Sequence, residues 1–207
     1  MTVDSVAAPV KLHRALPPEE AARADFYALL ARCFHDAPDA GLLANLAAAG
    51  PIEGVLSAAW QGLVDASSVM DPDAAAEEFE TLFVGMGVAE VSLYAGYYGG
   101  APSIDHPRVR IQADLASLGL ERRREVTEPE DHYAGLFDVM RVLVAGGAGR
   151  APAAVADQKR FFSAHIEPGA ARFLAAVGAS PKANYYRHVA AVGSGFIALE
   201  SESFQLE

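Results

Sequence analysis

Residues 16–36 read LPPEEAARADFYALLARCFHD. Two prolines and two glutamates stand where a first helical turn has unpaired N–H groups, so the rings cost no hydrogen bond and the acids meet the positive end of the helix dipole. Phe26, Leu29, Leu30 and Cys33 then recur at intervals that place them on one helix face. The same grammar, Pro or Asp at the start and small or polar residues at the end, repeats in both directions along the chain. It predicts helices in DAGLLANLAAAG (39–50), PIEGVLSAAWQGLVDAS (51–67), DPDAAAEEFETLF (71–83), PRVRIQADLASLGL (107–120), AAVADQKRFFSAHI (153–166), PGAARFLAAVG (168–178) and SPKANYYRHVAAVGSGFIALESE (180–202). A further helix is expected to start within VTEPEDHYAGLF (126–137) and run to Gly147. No alternating strand pattern extends beyond a few residues and no internal repeat is present. The expectation is an all-α fold, a single compact bundle of about nine to ten helices. Residues 1–16 read as a flexible N-terminal segment, 17–207 as the helical domain, and AGGAGRAP (145–152) as a hinge candidate before the C-terminal helices. VSLYAGYYGGAPSIDHP (91–107), rich in Tyr and Gly, reads as the most irregular part.

Composition agrees with helix and narrows the partners. Alanine makes up about a fifth of the 207 residues, and 52% of the chain is hydrophobic, enough to bury a sizeable core. The formal charge of -11 and pI near 4.9 argue against non-specific binding to nucleic acid or anionic lipid and favour basic partners. Cys33 is the single cysteine, which excludes an intramolecular disulfide framework and fits a reducing compartment; within FYALLARCFH it reads as a buried structural thiol. No apolar run reaches the roughly 20 residues of a membrane span, so a soluble cytoplasmic protein without stable membrane insertion is expected.

Chemistry concentrates in two stretches. In TEPED, Thr127 and Glu130 have capping-box spacing and Pro129 fits a first turn. On a helix Glu128, Asp131 and His132 would share one face, continued by Leu136 and Val139. An acidic cluster merging into an apolar stripe suits a ligand with a charged head and an apolar body; a plain helix start explains part of the same pattern, and both readings stand. Tyr94, Tyr97 and Tyr98 either line a pocket or anchor an awkward loop on the core. Six histidines show no HExxH and no tight His/Cys spacing, and Glu128 with His132 lacks a further ligand, so neither metal nor cofactor is expected. There is no P-loop, strand-linked GxGxxG or GxSxG. The internal ERRRE (121–125) reads as a solvated turn, and Phe161, Phe162, Phe173, Tyr185 and Phe196 as core.

Taken in order, FETLFVGMG, LYAGYY, EPEDH, DQKRFFSAHIEPGAARF and YYRHVAAVGSGFIALE resemble the TorD/DmsD family of cytoplasmic chaperones for exported molybdenum enzymes, over nearly everything from Glu19 to Glu202. The most specific element is Glu128, Pro129, Asp131 and His132; Phe161, Phe162, His165 and Pro168 support it. The resemblance implies an all-helical protein with no enzymatic reaction of its own. It would bind the twin-arginine signal peptide of an apo molybdenum oxidoreductase and delay export until the cofactor is inserted. The peptide-binding residues it implies are Glu128, Asp131 and His132, more loosely Tyr94 and Tyr97, with Leu136 behind them. Two departures stand out: Ala95-Gly96 lies between the tyrosines where relatives often have Glu and Ser, and Gly169 follows the proline where a Trp is common. The wording of residues 79–98 is similar to members linked with formate dehydrogenase. A guanidinium seeks planar paired acceptors, which Asp and Glu carboxylates supply. Burying roughly 400 Å² of apolar peptide gives on the order of 10 kcal/mol gross, and ordering the peptide leaves micromolar to sub-micromolar affinity. The alternatives are a small helical hydrolase using His132 with Glu128 and Asp131, and a helical adaptor pairing through the helices after the hinge. A monomer and a homodimer swapped through 145–152 are both compatible with the sequence.

Overall fold

The computed structural model describes residues 16–85, 88–99, 107–121, 128–147 and 149–206. These form ten α-helices and one π-helical turn; no strands occur among the described residues. The helices are α1 (Pro18–His35), α2 (Ala40–Ala47), α3 (Ser57–Val69), α4 (Pro72–Phe79), α5 (Ala95–Tyr98), α6 (Pro107–Ser117), α7 (Tyr133–Ala145), α8 (Val155–His165), α9 (Ala170–Ala179) and α10 (Tyr186–Leu206). Thr127, the expected N-terminal segment before Leu16 and the Arg122–Glu125 part of the basic turn fall outside the described residues.

Local chemistry sets most helix starts as the sequence suggests. α1 opens on Pro17 and Pro18, and Asp39 and Asp71 cap α2 and α4 by accepting backbone N–H groups. Three boundaries differ. α3 starts at Ser57 rather than near Pro51, because Gly54 takes a left-handed turn (φ 88°) ahead of it. α10 starts at Tyr186, six residues beyond Ser180: the Glu78 carboxylate of α4 accepts the N–H groups of Asn184, Tyr185 and Tyr186 at 2.8 to 2.9 Å and closes the helix end from a distance. α4 passes into a π turn, Glu80–Val84, closed by the Gly85 N–H on the Glu80 carbonyl at 2.8 Å. Gly85 ends it with φ 65°, and a side chain there would run into the Val88 carbonyl.

α1 packs along α7, α10 pairs with α9 and crosses α3, α2 lies on α3, and α8 on α7. Phe34, Phe83, Phe137, Phe173, Tyr133 and Tyr186 meet where these helices converge; Tyr133 stacks on Phe173 with centroids 4.3 Å apart. The residues expected in the core, Phe161, Phe162, Phe173, Tyr185 and Phe196, are all buried. Cys33 is fully buried as well, and burial pushes its thiol up to about 12, so it is no nucleophile.

Polar ties join the ends of the chain. The Arg23 guanidinium forks onto both oxygens of buried Glu200 at 2.8 Å each, reaches Glu20 and Gln158, and lies over the Phe204 ring; the Tyr27 hydroxyl donates to Glu200 at 2.8 Å. Tyr186 donates its hydroxyl hydrogen to the Cys33 carbonyl at 2.8 Å, and Ser67 bonds Tyr185 at 3.0 Å. At 145–152, the Gly147 and Arg150 backbones bond each other, Ala153 N–H bonds the Leu143 carbonyl, and the Arg150 guanidinium donates to the Leu118 and Gly119 carbonyls. Among the described residues of the connector, Arg150 is the tie to the residues just past α6.

Candidate functional site

The site is built where the tyrosine loop meets the EPEDH stretch. Leu93 accepts the Tyr133 N–H at 2.9 Å and Asp131 accepts the Ala95 N–H at 2.8 Å, an isolated antiparallel bridge between Tyr94 and His132. The Tyr94 ring stands edge-on to the His132 ring, 5.4 Å between centroids. The family resemblance names Asp131 and His132, and more loosely Tyr94, as peptide-binding residues; the fold brings the three side by side.

Their surroundings correct the helix-start reading. Residues 128–131 form a turn, not helix, and α7 begins only at Tyr133. His132 is the cap: its Nδ1 accepts the Ala134 N–H at 3.2 Å. Glu128, Asp131 and His132 therefore do not share a helical face, and Pro129 serves the turn, its carbonyl accepting the His132 N–H at 3.0 Å. The two acids beside His132 suggest an imidazolium, but burial outweighs the attraction of Glu128 and Asp131 and holds the imidazole below its ordinary 6.5. With Nδ1 accepting, the neutral ring carries its hydrogen on Nε2. Leu136 is fully buried in the core, one helical turn past His132, to whose carbonyl its N–H donates at 3.0 Å.

Asp131 is 3% exposed, and its Oδ1 accepts from the Arg108 Nε at 2.8 Å. Arg108, in the first turn of α6, is the neighbour of Asp131 that sequence reasoning misses; PRVRIQ gives no sign that its arginine reaches 23 positions along the chain. α6, the residues just past its end and Glu130 line an open groove of about 180 Å³, formed by Gln112, Leu115, Ala116, Leu120, Glu121 and Glu130. In the tyrosine loop Tyr97 is 76% exposed and Tyr98 is buried, with 5.0 Å between the two ring centroids. The loop thus does both things expected of it: Tyr98 anchors, Tyr94 and Tyr97 face out.

The second motif is structural. His165 donates from Nε2 to Asp114 of α6 at 2.6 Å; burial, stronger than the pull of Asp114, holds the imidazole below 6.5. Pro168 accepts from Arg172 at 2.8 Å ahead of α9. Gly169 has a steric reason for its identity: a Cβ there would lie 2.6 Å from the Tyr133 hydroxyl and 3.0 Å from Tyr98 Cβ. A tryptophan at this position needs both tyrosines elsewhere. The Tyr133 hydroxyl has no hydrogen-bond partner among the described residues. No group of three or more His, Cys, Asp or Glu able to hold a metal ion occurs among them, and none of the helices they form is long and apolar enough to cross a membrane.

The all-helical bundle agrees with the TorD/DmsD-type redox enzyme maturation proteins that the sequence resembles. The family model described as nitrate reductase delta subunit matches residues 52–175, more than half of the chain, and the chain belongs to that family. Its fold is similar to the crystal structure of a candidate redox enzyme maturation protein from Archaeoglobus fulgidus, at TM-score 0.55 and 16% identity, covering 91% of this chain and 99% of that one. No curated protein matches the sequence.

Proposed function

We propose that the chain is a cytoplasmic maturation chaperone that binds the twin-arginine signal peptide of a molybdenum oxidoreductase and holds the apoenzyme back from export until its cofactor is in place. The observation that carries this reading is the seam itself. The EPEDH turn and the α6 region supply the carboxylates of Glu121, Glu130 and buried Asp131, and the tyrosine loop bridged to that turn supplies the exposed rings of Tyr94 and Tyr97. Guanidinium groups find acceptors on the first, and an apolar segment lies on the second. The net charge of -11 steers a cationic tag toward the protein.

The hydrolase alternative lacks a base in position, since His132 Nδ1 is committed to the helix cap and Asp131 to Arg108. Calorimetry with a synthetic twin-arginine signal peptide, and with a control carrying Lys-Lys in place of Arg-Arg, tests the proposal. Micromolar or tighter affinity for the first and at least tenfold weaker binding of the second are expected; equal heats refute it. Tyr97→Ala weakens binding without moving the melt, because that side chain is exposed. A panel of signal peptides from nitrate reductase and formate dehydrogenase, the client suggested by residues 79–98, identifies the preferred enzyme.

A further inference from the structure

We infer that Arg108 is a built-in stand-in for the client's arginine, so that the chaperone rests with its acidic notch self-occupied and the signal peptide must displace the first turn of α6. The inference rests on the signal-peptide reading above and adds to it a resting state and a competitor.

Three observations carry it. The first is asymmetry of burial: the Asp131 side chain is 4% exposed while Arg108, its partner at 2.8 Å, is 43% exposed. The acceptor belongs to the fold, and the cation reaches it from the solvent side, as an incoming guanidinium does. The second is the contact's form. Arg108 engages Asp131 Oδ1 through Nε, whereas Arg23 forks onto both oxygens of Glu200. A ligand arginine able to use both carboxylate oxygens has bonds to gain. The third is how α6 is held. Its buried apolar residues are Ile111 and Leu115, followed by Leu118 just past its end; its Asp114 is bonded to His165, and Arg150 holds the Leu118 and Gly119 carbonyls. All of these anchors lie at or beyond Ile111. In the turn that bears Arg108, Val109 is 56% exposed and Arg110 is exposed. No described side chain of that turn is buried, so it is the part of α6 that a ligand reaching Asp131 must move.

The chemistry gives the device a purpose. A buried carboxylate without a cation is strongly unfavourable, so a notch made to receive arginine needs a guanidinium when no client is present. A site occupied internally nine-tenths of the time binds its ligand about tenfold more weakly than an open one, which favours release as well as capture.

The test uses the full chain with Arg108→Ala, and Arg108→Gln should the alanine variant fail to fold. The variant is expected to bind the twin-arginine peptide about tenfold more tightly than wild type, and to melt at a lower temperature that millimolar L-arginine amide raises while L-lysine amide does not. Adding Asp131→Asn abolishes this rescue. Affinity equal to or weaker than wild type, or a melt indifferent to arginine amide, overturns the inference. If wild type still prefers the twin-arginine peptide over its Lys-Lys control in that case, the proposed function stands without the stand-in. If neither protein distinguishes the two peptides, both fall.

Discussion

Replacing Glu78 by alanine should cost more than any ordinary exposed-helix substitution. Its carboxylate accepts three N–H groups at the start of α10, from Asn184 and Tyr185 at 2.9 Å and Tyr186 at 2.8 Å. Water replaces the bond at exposed Asn184, but the tyrosines are fully buried and their donors lose a charged acceptor. Hydrogen bonds to charged groups contribute about 1.5–3 kcal/mol each, while a lost helix cap costs typically about 1 and at most about 2 kcal/mol. Two orphaned donors at one helix end, taken between these bounds, give about 3 kcal/mol. For a chain of this length each kcal/mol moves the melt by about 2–4 °C, so Glu78→Ala should melt about 6–12 °C below wild type. Glu78→Gln, with one carbonyl and an amide that faces the donors the wrong way, should recover about half. Thermal unfolding by circular dichroism, with exposed Glu77→Ala as control, measures this; a Glu78→Ala melt within about 2 °C of the control refutes the account of how α10 starts.

Two further outcomes follow from buried groups. Tyr133→Phe removes a hydroxyl without a partner and should hold or raise the melting temperature. Gly169→Ala should lower it, and combining the two should recover part of the loss, since the Cβ collides with that hydroxyl; strict additivity in a double-mutant cycle would exclude the collision. The pH dependence has a definite sign: His132 and His165 are held below 6.5 by burial, so the unfolded chain takes up protons that the folded chain refuses. Stability contributed by the neutral rings is present above about pH 6.5 and is lost as the pH falls toward their folded values. Melts between pH 7.5 and 5.5 should therefore decline, with a shallower slope in His132→Asn, which keeps a capping side chain; a flat or rising profile contradicts the burial of these rings.

The helices that sequence makes legible are those whose signals are local. Pro17 and Pro18 start α1, Asp39 and Asp71 cap their own helices, and the apolar stripes from Phe26 to Phe196 go where periodicity sends them. The misread boundaries have remote or competing causes. α10 waits for a carboxylate from α4, more than a hundred residues earlier, which no window around Ser180 contains. At α7 the cap is His132, two residues past the Glu130 that the capping-box spacing singles out, and its Nδ1 meets the Ala134 N–H in a role that no common capping pattern announces. α5 has four residues and sits in a Gly-Tyr loop with no amphipathic period to read. At the candidate site, the resemblance names Tyr94 and the EPEDH residues for one site, but no spacing in the chain gives the bridge between Tyr94 and His132. The occupation of Asp131 by Arg108 was not legible either, because ion pairing across folded distance leaves no spacing rule in the chain.

The bonds from Arg23 and Tyr27 to Glu200, from Cys33 to Tyr186 and from Glu78 to residues 184–186 all reach from the first helices to the last. While the final helix is still inside the ribosome, the opening helices have none of these partners and the bundle stays unlatched. The bundle therefore latches late, once residues 184–200 can reach α1 and α4, and removing residues 184–206 strips both helices of these partners.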